Sequence, residues 1–571
     1  MQYSYILHTP EKTLTSVCDV DVLHAAPCAD YETEGFTCHV TSRDKGIYKI
    51  IEMTVSAKTD AAVYLSVKGE GEGEIYSFAG LPRDERLYRQ SPHNPDRYHF
   101  KMERSAVPMV AVVKDGEADF FISDNPSYFD NATTQHILPA EHTFYLSSGD
   151  KGGQPNNPES DPFAPIFHKI GGEKTHTFRF ITFRTKADNL KNIRKEAFRA
   201  IEKVWGNGED SLYRSISFAS NYMHLRKNEK GISDKWVVAG IEYANTQYFR
   251  DSFYQTMIFD DETQAQCFLA LNGKQISIEA ENPMIYLIWT YRIFKSGKPI
   301  YRDKADMAFR EVIRCMDKKP DGGMYPNCRV EEHGAFRNWF DICCYALDDV
   351  DAYTQGVCIC ALEAAKRLGY DIGDRKERAL ARYHSLFNGE FIPLSEQKQY
   401  LAVDISVGEV LYYMLFDELF IDNEQFEKTY RKIVDGPSRT KYGIKIVSAT
   451  DGSYLPLEAY GLDGYVHPGF NTIDVGRYAN GGSYHIYEML FHIAAYLHGI
   501  PDAEDNLINR LMIDLDYDGA THEYMHTIRG TGVKANQGWN AAIHAIWAEI
   551  MRRGRATSRF FDAADAKLES F

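Results

Sequence analysis

Acidic side chains occur in three widely separated stretches of this sequence, each beside aromatic residues. "NWFD" ends on Asp341, with Trp339 two positions before it, and Asp348, Asp349 and Asp351 follow. "HEYMH" carries Glu523, and "YFRDSFYQ" carries the Arg250–Asp251 pair. Two carboxyl groups flanking a glycosidic bond can hydrolyse it with inversion. One protonates the leaving oxygen while the other takes a proton from the attacking water. They must stand roughly 6.5–9.5 Å apart to admit that water, so they must come from different loops rather than from one helix turn. Trp339 and Trp539 could serve as platforms for the apolar face of a pyranose. Tyr325, Tyr478, Asn480 and Gln537 are types that contact sugar hydroxyls.

Each stretch also has a plainer reading. Arg250–Asp251 could be an ion pair at a helix start. Asp348 and Asp349 are placed to cap the helix that follows, and the tryptophans could be core. "YANGGSYH" (478–485) could be a turn, because Gly481 and Gly482 relieve steric limits. Glu279 and Glu281 could form a solvated turn, with Glu281 and Pro283 opening a helix. His467, His485, His522 and His526 include no pair at helical spacing with a helix-borne Glu, so no metal site is expected.

The elements that must position these residues differ along the chain. Residues 1–185 read as a β-sandwich. The segments 47–57, 62–68 and 176–184 are rich in β-branched and aromatic residues, and Asp115-Gly116 separates two such runs as a hairpin turn. Residues 186–206 read as a linker helix, with Leu190, Ile193, Ala197, Ile201 and Val204 on one stripe and Asp188 as cap. From 207 to 571 strand signals nearly vanish and twelve helices are expected. They fall near 211–228, 251–259, 260–271, 281–296, 301–317, 349–369, 373–388, 406–421, 423–434, 482–499, 502–514 and 537–553. Short links such as "GYDIG", "IDN" and "GIP" follow even-numbered helices and force antiparallel neighbours. Longer acidic and aromatic loops precede the even helices. Six inner and six outer helices in alternation make an (α/α)6 barrel, with all the long loops on one face.

Composition narrows the function class. The chain has 571 residues, 44% hydrophobic and 25% charged, which suits a folded multidomain protein. Sixty-four basic residues against 81 acidic give a net charge of -17, so no basic footprint for nucleic acid or an anionic membrane exists. No apolar run is long enough to span a bilayer. The first residues lack a basic start followed by an apolar stretch, and ten cysteines fall partly on apolar helix faces without metal-type spacing. A cytoplasmic location with buried free thiols is therefore the expectation. The 37 tyrosines fit a sugar-binding surface as well as a large aromatic core. Oligomeric state, a homo-oligomer included, is left open.

The region from about 211 onward resembles the six-hairpin glycosidases, the (α/α)6-barrel inverting hydrolases that include amylo-α-1,6-glucosidase domains and processing α-glucosidases. "YFRDSFYQ" resembles their Arg-Asp motif, "NWFD" their Thr-Trp-Met-Asp motif, "YANGGSYH" their Asn-Gly-Gly loop, and "HEYMHTIRGTGVKANQGWNAA" their final segment. The resemblance implies an exo-acting, inverting hydrolase of a terminal, α-linked glucosyl-type residue on an oligosaccharide or glycoside, with no metal or cofactor. It assigns Asp341 as general acid and Glu523 as general base, with Arg250 and Asp251 gripping the terminal sugar. The aromatic setting of Asp341 favours a protonated carboxyl, as an acid needs. Asn338 and Phe340 depart from the family's Thr and Met, and Asp348 and Asp349 stay as rival acids. A polysaccharide lyase on the same barrel would instead use a group such as Arg477, Tyr478, Asn480 and His485. A non-catalytic sugar-binding protein is the third reading.

Overall fold

The computed structural model describes residues 2–9, 15–20, 29–78, 89–90, 98–101, 107, 109–124, 134–138, 141–148, 168–170, 175–187, 189–223, 225–227, 233–237, 248–270, 281–325, 349–456, 459, 474–535 and 537–571. The chain divides into two compact units, Met1–Ala244 with Leu568–Phe571, and Asn245–Lys567.

The first unit is built on two antiparallel sheets. One runs β2 (Thr15–Val20), β1 (Gln2–His8), β6 (Ala61–Glu70), β13 (Thr143–Ser147), β12 (Thr134–Leu138), β9 (Tyr98–Lys101) and β8 (Arg89–Gln90), with β14 (His168–Ile170) also on β6. The other runs β3 (Ala29–Glu32), β4 (Phe36–Lys45), β5 (Tyr48–Ala57), β15 (Thr175–Lys186), β11 (Glu117–Ser123), β10 (Met109–Lys114) and β7 (Glu74–Phe78). Alternation along each strand turns one face inward. Tyr5, Leu7, Leu65, Phe144 and Leu146 of the first sheet meet Val40, Ile51, Met53, Val55, Phe121 and Phe180 of the second in a single core. The turn between β10 and β11 is Asp115-Gly116, both at positive φ, which matches the twist of a two-residue hairpin. Helix α1 (Leu190–Trp205) buries Ile193, Ala197, Ile201 and Val204, the stripe that its spacing predicts. Its cap is Asn189 rather than Asp188: the Asn189 side chain accepts the Asn192 N–H at 3.0 Å. Helix α2 (Leu212–Tyr222) packs on α1 inside this unit.

The second unit is mainly helical. Six helices contact one another in a closed order. Phe249–Thr256 packs on Asn282–Lys295, then come Ala352–Arg367, Val407–Phe416, His485–Leu497 and Ala541–Arg552, and the last returns to the first. A second set lies against them: Asp261–Leu269 and Arg302–Met316 on Asn282–Lys295, Arg375–His384 on Ala352–Arg367, and Asn423–Val434 and Ala503–Asp518 on His485–Leu497. Sequence explains the two roles. Ala352–Arg367 and His485–Leu497 are buried almost all round, as a helix surrounded by others must be. Arg375–His384 and Asn423–Val434 keep one apolar stripe and a charged outer face. Two helices of the ring meet at glycine. A Cβ on Gly408 would lie 2.1 Å from the carbonyl carbon of Gly356, so no larger residue fits there without moving backbone.

Three further features depart from the sequence reading. A helix at Arg559–Glu569 follows the ring. Short strands occur where strand signals are faint, among them Ser483–Tyr484, His522–Met525 and Gly532–Ala535, which form a three-stranded sheet. The cap of helix Ala352–Arg367 is Asp351, which accepts the Thr354 N–H at 2.7 Å, and not Asp349.

Candidate functional site

The N-terminal ends of five ring helices bring polar and aromatic side chains together. Arg250 and Asp251 stand in the first turn of Phe249–Thr256, and Glu281 immediately precedes Asn282–Lys295. Tyr353 and Tyr487 lie in the first turns of Ala352–Arg367 and His485–Leu497, and Trp539 precedes Ala541–Arg552. The Arg250 guanidinium donates to Glu281 Oε1, and its Nε lies 3.7 Å from Asp251 Oδ1. It also lies 5.4 Å above the Trp539 ring, a cation–π distance. Tyr487 meets Trp539 edge-on at 5.6 Å and Tyr353 at 6.2 Å.

All these side chains are buried, and Glu281 is fully so. Burial and the nearby Glu281 carboxylate push the Tyr254 and Tyr353 hydroxyls well above the usual phenol range. Both therefore stay protonated, as hydrogen-bond donors and acceptors. Neither hydroxyl has a partner among the described residues. A Cβ on Gly538 would sit 1.7 Å from Gln255 Nε2, so the Gln537–Asn540 turn lies directly on the Gln255 side chain of Phe249–Thr256. Gln537 and Trp539 are buried in that turn.

Glu523 lies on a short strand, His522–Met525. His522–Met525 pairs with Gly532–Ala535 and with Ser483–Tyr484. The sequence reads this segment as loop, because its partner at 483–484 is too short and too distant to leave a pattern. Asn540 Nδ2 donates to the His522 carbonyl at 2.8 Å, tying the strand to the Trp539 turn. Tyr524 packs on Tyr484 with the rings tilted at 5.4 Å, and Tyr484 reaches Tyr487 at 6.0 Å. An aromatic ladder thus links the Glu523 strand to the Arg250 group.

Tyr478 is half-buried, packs on Tyr484 and Tyr524, and has a φ of 41°, a left-handed conformation that costs a tyrosine strain. Asn480 is fully buried in the same tight turn, where its N–H donates to the Arg477 carbonyl. Tyr325 is engaged elsewhere: its hydroxyl donates to Asp321, and Lys319 lies 4.8 Å over its ring. Asp341 and Trp339 lie outside the described residues, as do Glu279, Asp348 and His467. Asp349 is tied down at both oxygens, by Ser395 Oγ at 2.7 Å and the Gln397 N–H at 3.1 Å.

Glu281 is the residue that the sequence reading underrates. It is no solvated turn but the buried counterion of Arg250. Its signal was its place in a polar loop ahead of a ring helix. His485, a candidate for lyase chemistry, is turned to Asp514 and fully buried. Burial of its ring keeps it neutral and below its ordinary range.

His522 behaves differently. Burial alone would lower its pKa, but Asp514 and Asp518 outweigh that and raise it to about 9. A site that holds the imidazolium stabilises the fold fully below the unfolded value of about 6.5, and the contribution disappears as pH rises through about 9. His485 and His492 stay neutral across that window and add no slope. Urea unfolding should show the parent losing about 3 kcal/mol over this range relative to His522→Gln, at ~1.4 kcal/mol per pKa unit. Parallel pH curves for the two proteins would contradict this.

No family model matches the chain, and no curated protein matches it. Among solved structures, it is similar to a bacterial glucoamylase complexed with acarbose, at 10% identity over 99% of this chain and 90% of that one, with a TM-score of 0.40. A glycosidase variant in complex with glucose matches at 12% identity over 60% of this chain and 96% of that one, with a TM-score of 0.38. A GH63 mannosylglycerate hydrolase from Thermus thermophilus, also with glucose, matches at 13% identity over 48% of this chain and 76% of that one, with a TM-score of 0.32.

Proposed function

We propose that the chain is an inverting, exo-acting glycoside hydrolase that removes a terminal, α-linked glucosyl-type residue from an oligosaccharide or glycoside. In this reading residues 1–185 are a β-sandwich, 186–206 a linker helix, and 207–571 an (α/α)6 catalytic barrel. The observation that supports it is the convergence of ring-helix N-terminal ends on the Arg250–Glu281 group, with the Glu523 strand joined to it through Asn540 and the tyrosine ladder.

Asp341 protonates the glycosidic oxygen as the bond to the anomeric carbon breaks. Glu523 takes a proton from a water on the opposite face, and that water's oxygen bonds to the anomeric carbon. Arg250 and Asp251 hold hydroxyls of the terminal sugar, and Glu281 fixes the guanidinium for that task. Trp339 and Trp539 flank the ring, while Tyr478, Asn480 and Gln537 contact the substrate; Tyr325, committed to Asp321, is left out of that set. A lyase is less well supported, because His485 is committed to Asp514.

The test is incubation with aryl and natural glycosides, with NMR of the anomer first released. Inversion is the expected outcome. Retention would overturn the two-carboxylate geometry, an ultraviolet-absorbing unsaturated product would replace hydrolysis by elimination, and tight binding without turnover would leave a sugar-binding protein.

A further inference from the structure

The strand carrying Glu523 is backed by buried charge that the proposed hydrolysis does not use. Asp514, on Ala503–Asp518, receives His485 Nδ1 and lies 3.0 Å from Arg510 Nη1. Arg510 Nε donates to Glu488 Oε2 at 2.9 Å, and its Nη2 to the Ser483 carbonyl at 3.1 Å. Glu488 is filled out by Ser483 Oγ at 2.7 Å and the Ile444 N–H at 2.9 Å. Well-packed apolar residues often stabilise such a position at least as well as paired ions do, so bulk stability is a weak explanation for the network.

His522 is where this network meets the site. Its Nε2 lies 3.0 Å from Asp518 Oδ2 and its Nδ1 lies 3.5 Å from Asp514 Oδ1, so carboxylates face both ring nitrogens. The Tyr517 ring meets it edge-on at 5.3 Å. Its carbonyl is held by Asn540. Across the sheet, a Cβ on Gly532 would lie 2.4 Å from His522 Cδ2, so the imidazole lies directly against glycine backbone. Successive side chains of a strand point to opposite faces. With His522 clamped towards Ala503–Asp518, Glu523 must point the other way.

We infer that His522 is a positioning residue: gripped by Asp514 and Asp518, it fixes the roll of strand His522–Met525 and so aims the Glu523 carboxylate, an inference that rests on the proposed role of Glu523. A carboxylate misplaced by ~1 Å costs about a hundredfold in rate. Glutamine at 522 keeps an N–H near Nε2 for Asp518 and should restore much of what alanine loses.

The experiment takes the full chain with His522→Ala, His522→Gln and Glu523→Gln, and reads kcat, KM and crystal structures. Alanine should displace the Glu523 carboxylate by about 1 Å and lower kcat about a hundredfold, with KM within about threefold of the parent. Glutamine should recover to within about tenfold of the parent kcat. Should alanine fail to fold, Asp518→Asn, at the more exposed end of the clamp, replaces it with the same expected displacement and a smaller loss. A Glu523 carboxylate that stays in place would overturn the inference whatever the activity. A displaced carboxylate with kcat unchanged in both His522→Ala and Glu523→Gln would instead overturn the role of Glu523 and leave the aiming intact.

Discussion

Replacing Glu523 by glutamine should lower kcat about a thousandfold and leave KM within about threefold of the parent. Acid–base assistance is worth ~10²–10⁴-fold, and an amide cannot take the proton from the attacking water. The change is isosteric, so contacts made in the ground state survive and KM barely moves. A thousandfold loss corresponds to ~4 kcal/mol of barrier. Steady-state kinetics on a glycoside that the parent cleaves give the number, and the unfolding midpoint shows whether the variant is folded. A kcat within tenfold of the parent, from a folded variant, would remove Glu523 from the chemistry.

Replacing Arg250 by methionine should destabilise the fold by about 3–5 kcal/mol. Glu281 has no exposed surface, and Arg250 donates to one of its oxygens. Removing one partner of a buried pair leaves the other charge without its counterion in a poorly polarisable site, which costs about that much. The double change Arg250→Met with Glu281→Leu removes both charges of the pair and should recover the part of the loss that Glu281 causes, while the buried Asp251 carboxylate, 3.7 Å from the guanidinium, retains the rest. Turnover should stay abolished in both, because the sugar hydroxyls lose their donor. Urea midpoints of parent, single and double variants separate these effects. Equal destabilisation of single and double variants would mean that the pair is not what holds this site.

The ring helices were readable because apolar character on all sides, together with polar loops ahead of alternate helices, survives in one dimension. Glu281 was not readable as a site residue: Glu-x-Glu-Asn-Pro looks like a solvated helix start until Arg250, 31 residues earlier, is brought against it. The charged network around His522 hid for a related reason. Arg510, Asp514 and Asp518 recur every four residues, as on an exposed helix face, and the burial of Arg510 and Asp514 appears once the strand packs on them. Asp351 was masked as a cap by the aspartates just before it. Whether Asp341 opposes Glu523 was not legible either, since spacing along a chain does not fix a distance across a cavity.

The closed order of the six ring helices also bears on how the protein is made. Phe249–Thr256 finds its last neighbour, Ala541–Arg552, after everything between them has been synthesised. At ~5–20 residues per second the wait on the ribosome lasts tens of seconds. Throughout it the nascent chain holds an incomplete arc with an uncovered apolar flank at each end. Apolar surface left uncovered until the arc closes is the condition under which partly folded chains aggregate.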